Sequence, residues 1–111
     1  MIAEVAVFCW HVHHFVQVEP LWEPIEERID YIKKHKPASE RKLRLRLLRP
    51  VQGQLPPELV QAGKAYAQAG AAYVQAWVEY LLILAMHKEE IDALHALECP
   101  NCPWDGKTIF S

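Results

Sequence analysis

Apolar positions crowd the start of the chain. Residues 2–18, "IAEVAVFCWHVHHFVQV", are rich in Val, Phe and Trp and contain neither Gly nor Pro. β-Branched and aromatic side chains suit a pleated surface. Both alternating faces are largely apolar, so the pattern predicts a buried strand. Pro20 and Pro24 punctuate it, and "PIEERIDYIKKHKP" then reads as a helix. Its proline falls in the first turn, Glu26 and Glu27 sit at the positive end of the dipole, and Lys33, Lys34 and His35 sit at the negative end. Ile25, Ile29 and Ile32 share one face, and Pro37 ends the run. In "RKLRLRLLRP", Leu43, Leu45 and Leu47 alternate with Arg44 and Arg46, the period of a half-buried strand. Strand, helix and strand in this order predict a βαβ-like unit over residues 1–50, with parallel strands and a right-handed crossover. Two strands rarely form a stable sheet, so a further one is expected from the tail or a second subunit.

A different period governs the second half. From Gly63 the chain reads in sevens: GKAYAQA, GAAYVQA, WVEYLLI, LAMHKEE, IDALHAL. Tyr66, Tyr73 and Tyr80 recur at one heptad position, and Ala69, Ala76 and Ile83 follow three residues later. Proline is absent from Glu58 to Glu98 and alanine is frequent. The pattern predicts one long helix over 57–97, about 60 Å at 1.5 Å per residue. A seven-residue repeat also predicts left-handed supercoiling against a partner, with Tyr66, Ala69, Tyr73, Ala76, Tyr80 and Ile83 in the seam. Gly70 is the position at which such a helix would break and fold back. A CxxC tail, 98–111, closes an α+β chain expected to form a single domain (1–111).

Composition narrows the class. The chain has 111 residues, 51% of them hydrophobic, and a formal net charge of −2. That is normal for a folded protein and supplies no basic field for nucleic acid. The apolar N-terminal run lacks a preceding basic residue and a cleavage pattern, so it does not read as a secretion signal. "WVEYLLILAM", at ten residues, is about half the length needed to span a bilayer. Three cysteines form no disulfide framework, which predicts a reducing, cytoplasmic setting.

The candidate chemistry lies in "HALECPNCPWDGKTIFS". Cys99 and Cys102 have the two-residue spacing that lets both sulfurs reach one ion, and thiolates suit zinc, which accepts tetrahedral sulfur and nitrogen donors. Asp105-Gly106 signals a tight turn that would fold "PWDGKTIF" back as a hairpin, burying Trp104, Ile109 and Phe110 near the cysteines. His95, four residues ahead of Cys99, is a third local donor. One CxxC is half a zinc site, and "CWHVHH" is the candidate for the rest. On a strand, Cys9, His11 and His13 share a face, with about 7 Å between neighbours. A Cys2His2 site of Cys99, Cys102, His11 and His13 is chemically sensible. An unbroken helix would hold the two halves about 60 Å apart. They would then meet only beside a long first strand, through a fold-back at Gly70, or across an antiparallel partner. Otherwise the site is local, made of His95, Cys99, Cys102 and a fourth ligand from water or a partner.

The ends "WHVHH…IEERIDYIKKHKP…LRLRL" and "ALHALECPNCPWDGKTIF", with "AGKAYAQAGAAYVQAW" between them, resemble a group of short uncharacterised phage and bacterial proteins. In that group, AAY-type heptads of variable number separate similar ends, and CPxCPWDGxTIF closes the chain. The resemblance implies no known activity and suggests that the middle helix is a spacer. "WVEYLLILAMHKEE" departs from the charged heptads of the group and favours a buried interface.

These features point first to a non-enzymatic structural or interaction protein, with no catalytic residues. It would self-associate through its Ala/Tyr helix, carry zinc, and present its α/β head to a protein partner. One alternative is a metal-dependent hydrolase or nuclease using His11, His13 and His14, with Glu19 or Glu23 as base. Against it, no HExxH-type set is present. Another is a nucleic-acid binder using Arg41, Lys42, Arg44, Arg46 and Arg49. An alternating strand would display those cations simply as its solvated face.

Overall fold

A computed structural model describes residues 7–21, 23–69 and 74–110. Among these are three strands, β1 (Val7–Trp10), β2 (Val18–Leu21) and β3 (Arg49–Pro50). There are five helices, α1 (Ile25–His35), α2 (Ala38–Leu47), α3 (Pro57–Ala69), α4 (Val74–Met86) and α5 (Lys88–Glu98). The class is α+β, as the patterns require. Two compact units share the chain, residues 7–51 with 101–110, and residues 52–100.

In the first unit, β1 is the centre of an antiparallel sheet of order β2-β1-β3. Cys9 faces Glu19 on one side and Pro50 on the other. The expected parallel βαβ unit is therefore corrected. The loop joining β1 to β2 spans only residues 11–17, enough for a hairpin and far too short for a crossover. Pro20 and Pro50 lie on the two outer strands, where a missing N–H breaks no ladder. His11 ends β1 by taking a left-handed backbone, φ 54°. Its N–H donates to the Gln17 carbonyl at 3.1 Å, and Arg28 Nη2 donates to the Val12 carbonyl at 3.0 Å.

Helix α1 matches its sequence signals, with acidic residues in the first turn and basic ones in the last. Helix α2 replaces the strand expected at 43–47. No β-branched residue occurs from Ala38 to Leu48, and Ala, Glu, Lys, Arg and Leu all favour helix. Arg44 and Glu40, one turn apart, pair at 2.8 Å. Arg44 is buried rather than displayed, its guanidinium 5.1 Å from the centre of the Phe110 ring, and Arg41 Nε donates to the Lys36 carbonyl at 2.7 Å. The uniform basic face proposed for 41–49 is thus absent. Cys9, Val12, Leu21, Ile32 and Leu48 form the core, with Ile25, Ile29 and Leu45 packed against it.

In the second unit, the expected rod over 57–97 is overturned. It is divided into α3, α4 and α5, and α3 packs on α4. Tyr66 and Tyr80 would lie about 21 Å apart along a continuous helix, yet their rings stack with centroids 6.2 Å apart. Trp77 joins them, 4.8 Å from Tyr66 and 5.9 Å from Tyr80. Two aromatic members of the seam expected to seek another chain, Tyr66 and Tyr80, thus meet within this one. Tyr80, like Leu59 and Ile91, is fully excluded from solvent, and Tyr66, Ala76 and Ile83 are half-buried. Ala69 ends α3, while Tyr73 and Gly70 lie outside the described residues. Between α4 and α5, His87 interrupts the helical path with φ −107° and ψ 25°. Among the described residues, no helix is long and apolar enough to cross a membrane.

Candidate metal centre

Each candidate ligand is placed by a local feature. Helix α5 carries His95 into its last turn, and the Cys99 N–H donates to the His95 carbonyl at 2.8 Å, continuing the helical pattern into the cysteine. Just before Cys99, Glu98 accepts hydrogen bonds from the backbone N–H groups of Gln52, at 2.8 Å, and Gly53. That clamp fixes the end of α5 to the loop preceding α3. The chain then turns through Asn101, whose φ of 60° is tolerated better by asparagine than by most residues, and presents Cys102.

The tail beyond is fastened independently. The Thr108 and Lys107 N–H groups donate to Asp105 Oδ1 at 2.9 and 2.8 Å, holding its carboxyl below the usual range. Gly106 takes φ 100° in the turn. The turn expected at Asp105-Gly106 therefore forms, with the Asp105 N–H donating to the Thr108 carbonyl at 3.2 Å, although no strand flanks it. The Ile109 N–H donates to the His14 carbonyl at 3.0 Å, and His14 Nδ1 lies 2.9 Å from Thr108 Oγ1. Ile109 is buried, and Trp104 and Phe110 are half-buried.

This fastening sets Cys102 Sγ 3.2 Å from His11 Nε2, with the Trp104 ring centroid 5.3 Å from that of His11. His11, His95, Cys99 and Cys102 lie close together, their ligand atoms all within 4.8 Å of one another. A tetrahedral zinc with Zn–S near 2.3 Å and Zn–N near 2.0–2.1 Å separates its donors by about 3.3–3.8 Å. The set can hold a metal ion after contracting by about 1 Å. His11, His95 and Cys99 are buried, and Cys102 is partly so. Burial pulls the His95 pKa down, against a smaller upward effect of Asp92, and so favours the neutral imidazole that ligates metals.

Four of the five sequence-derived ligands converge, and His13 does not. Its placement assumed a strand running through residue 13, whereas the left-handed turn at His11 ends the alternation. His13 Nδ1 instead lies 2.8 Å from Glu19 Oε2 at a half-exposed position. With His14 turned to Thr108, the three histidines face three different partners, and Glu19 is engaged by His13. The cluster proposed for hydrolysis is not assembled. Cys9 also stands apart. Burial, with Glu19 adding negative charge, pushes its thiol up to about 11, an inert core cysteine. The Glu98 clamp was not foreseen, since no spacing rule connects a carboxylate to backbone groups 45 residues away. No family model, curated protein or solved structure matches the chain, so the chemistry of the site is read from its own residues.

Proposed function

We propose that this is a non-enzymatic structural protein in which one zinc ion, bound by His11, His95, Cys99 and Cys102, staples the β1 turn to the C-terminal tail. The observation carrying the reading is the convergence of four donor atoms within 4.8 Å. Two thiolates and two imidazoles make a donor set that suits zinc. Four protein ligands complete a tetrahedron, whereas a catalytic zinc keeps one position for water or substrate. The CPxCPWDGxTIF ending that resembles the phage and bacterial group supplies two of the four. The protein's work, on this reading, is to hold a shape and present surfaces.

Metal analysis of the full chain tests it. Purified protein should hold one equivalent of zinc, and cobalt substitution should give thiolate-to-metal charge-transfer bands. Cys99→Ser and His95→Ala should each lose the metal, while His13→Ala should keep it. At a free zinc concentration 1,000 times Kd, binding adds about 4 kcal/mol of stability, so chelation should lower the melting midpoint by roughly 15–20 °C. Protein without stoichiometric zinc, or His95→Ala binding as tightly as the native chain, would overturn the assignment.

A further inference from the structure

Helix α4 is apolar on two sides, and among the described residues only one side is packed. Ala76, Trp77, Tyr80, Ile83 and Leu84 lie on the side turned into the unit, half-buried or buried. On the other side Val74 is 66% exposed, Val78 46%, Leu81 36%, Leu82 62% and Met86 71%, with Ala85 exposed among them. At 100° per residue these six span an arc of about 140°. The polar residues of the exposed side are Gln75 and Glu79, which bond to each other at 3.3 Å along one edge.

We infer that this face seats a second copy of the chain, α4 against α4 across a two-fold axis. The five large side chains leave the equivalent of nearly three whole residues exposed, about 500 Å², near the upper end of what a monomer shows. Pairing two such faces removes on the order of 1,000 Å² of apolar surface, the threshold of a specific interface before any rim is added. Val74, Val78, Leu82 and Met86 form one ridge at four-residue spacing, the kind that interdigitates with its own copy. The ridge grows from valine at its start to leucine and methionine at its end. An antiparallel pair therefore sets the large side chains of one copy against the small ones of the other, as an isologous interface requires. Glu79, at the rim, is the single charged residue of α4, so a strongly charged partner would find no complement on this face. The absence of Lys and Arg from α4 disfavours an anionic lipid surface. The inference uses none of the metal ligands and stands or falls separately from the zinc.

Light scattering on the full, zinc-supplied, reduced chain decides it. From about 5 to 500 μM the mass should climb from 12.8 kDa toward twice that value. Leu82→Lys should stay at the monomer mass throughout, with an unchanged circular dichroism melt in dilute solution. Val74→Lys is the second variant should Leu82→Lys misfold. A native chain that remains monomeric overturns the inference. Flotation of that monomer with phosphatidylcholine vesicles would give the face to lipid instead. A dimer that survives both lysine substitutions overturns it too.

Discussion

Replacing Tyr80 by alanine separates a folded-back unit from an extended rod. On a rod the tyrosine seam faces a partner, so its loss would dissociate the oligomer and leave each chain folded. In this structure Tyr80 has no solvent exposure and stacks against Tyr66 and Trp77 within one chain. Truncating a buried aromatic residue to alanine costs about 3–5 kcal/mol, through lost transfer energy and the cavity left behind. Two ring contacts place this site at the upper part of that range. For a chain of this size, each kcal/mol lowers the melting midpoint by roughly 4–5 °C, which gives a fall of about 15–25 °C. Thermal melts followed by near-ultraviolet circular dichroism at micromolar concentration read both the midpoint and the aromatic packing. The exposed Lys64→Ala on α3 is the control and should stay within about 0.5 kcal/mol of the native chain. A Tyr80→Ala chain melting within about 5 °C of native would refute the intramolecular stack.

Two further outcomes follow from polar contacts in the same unit. Glu98→Ala removes the acceptor for the Gln52 and Gly53 N–H groups. Partners that orient metal ligands typically matter 10–100-fold in affinity, so chelator competition should show zinc binding weakened by about that factor. An unchanged affinity would show that the clamp does not position Cys99. His87 has Glu58 at 2.9 Å from Nε2 and Glu90 at 2.9 Å from Nδ1. Both nitrogens can donate only as imidazolium, and these bonds, that to Glu58 foremost, raise its pKa above 6.5. A raised histidine pKa stabilises the fold fully below the unfolded value and ceases to do so as pH rises through the folded one. The native melting midpoint should therefore fall relative to His87→Gln as pH is taken from 6 to 9, and parallel profiles would remove the triad's role.

Local signals were legible where they were redundant. Helix α1 announced itself through its proline, its charge order and its isoleucine spacing, all agreeing. Helix α2 did not, because leucine and arginine alternate over 43–47 with the period of a strand. Only the lack of β-branched residues argued otherwise. Residues 2–18 offered no Gly or Pro to mark a turn, so the left-handed backbone at His11 was invisible, and with it the reason that His13 leaves the site. The heptads were real, but a seam of Tyr and Ala does not say whether its partner is another molecule or the preceding helix. In the candidate metal centre, the CxxC and His95 were legible as neighbours in sequence, and His11 only as one member of a histidine run.

The placement of the four ligands argues for a staple more strongly than their identity does. His11 and Cys102 are 91 residues apart, and closing so long a loop removes more freedom from the unfolded chain than a local site would. Between the tail and the rest of its unit, the other ties include the His14 contacts with Thr108 and Ile109 and the packing of Phe110 under Arg44 of α2, each modest alone. Two residues of the region, His11 and Asn101, hold left-handed backbones that cost on the order of 1 kcal/mol or more each. Such strain persists only where the surroundings enforce it. A tetrahedral ion bound as proposed would do so directly, fixing the imidazole of His11 and the thiolates on either side of Pro100-Asn101 in one geometry. The sequence supplies a histidine at the end of a strand and another at the end of a helix, and then spends two residues turning the chain between two thiols. That arrangement is hard to account for by packing alone, because a half-exposed cysteine and three buried polar groups give up hydration that an apolar cluster in the same place would not.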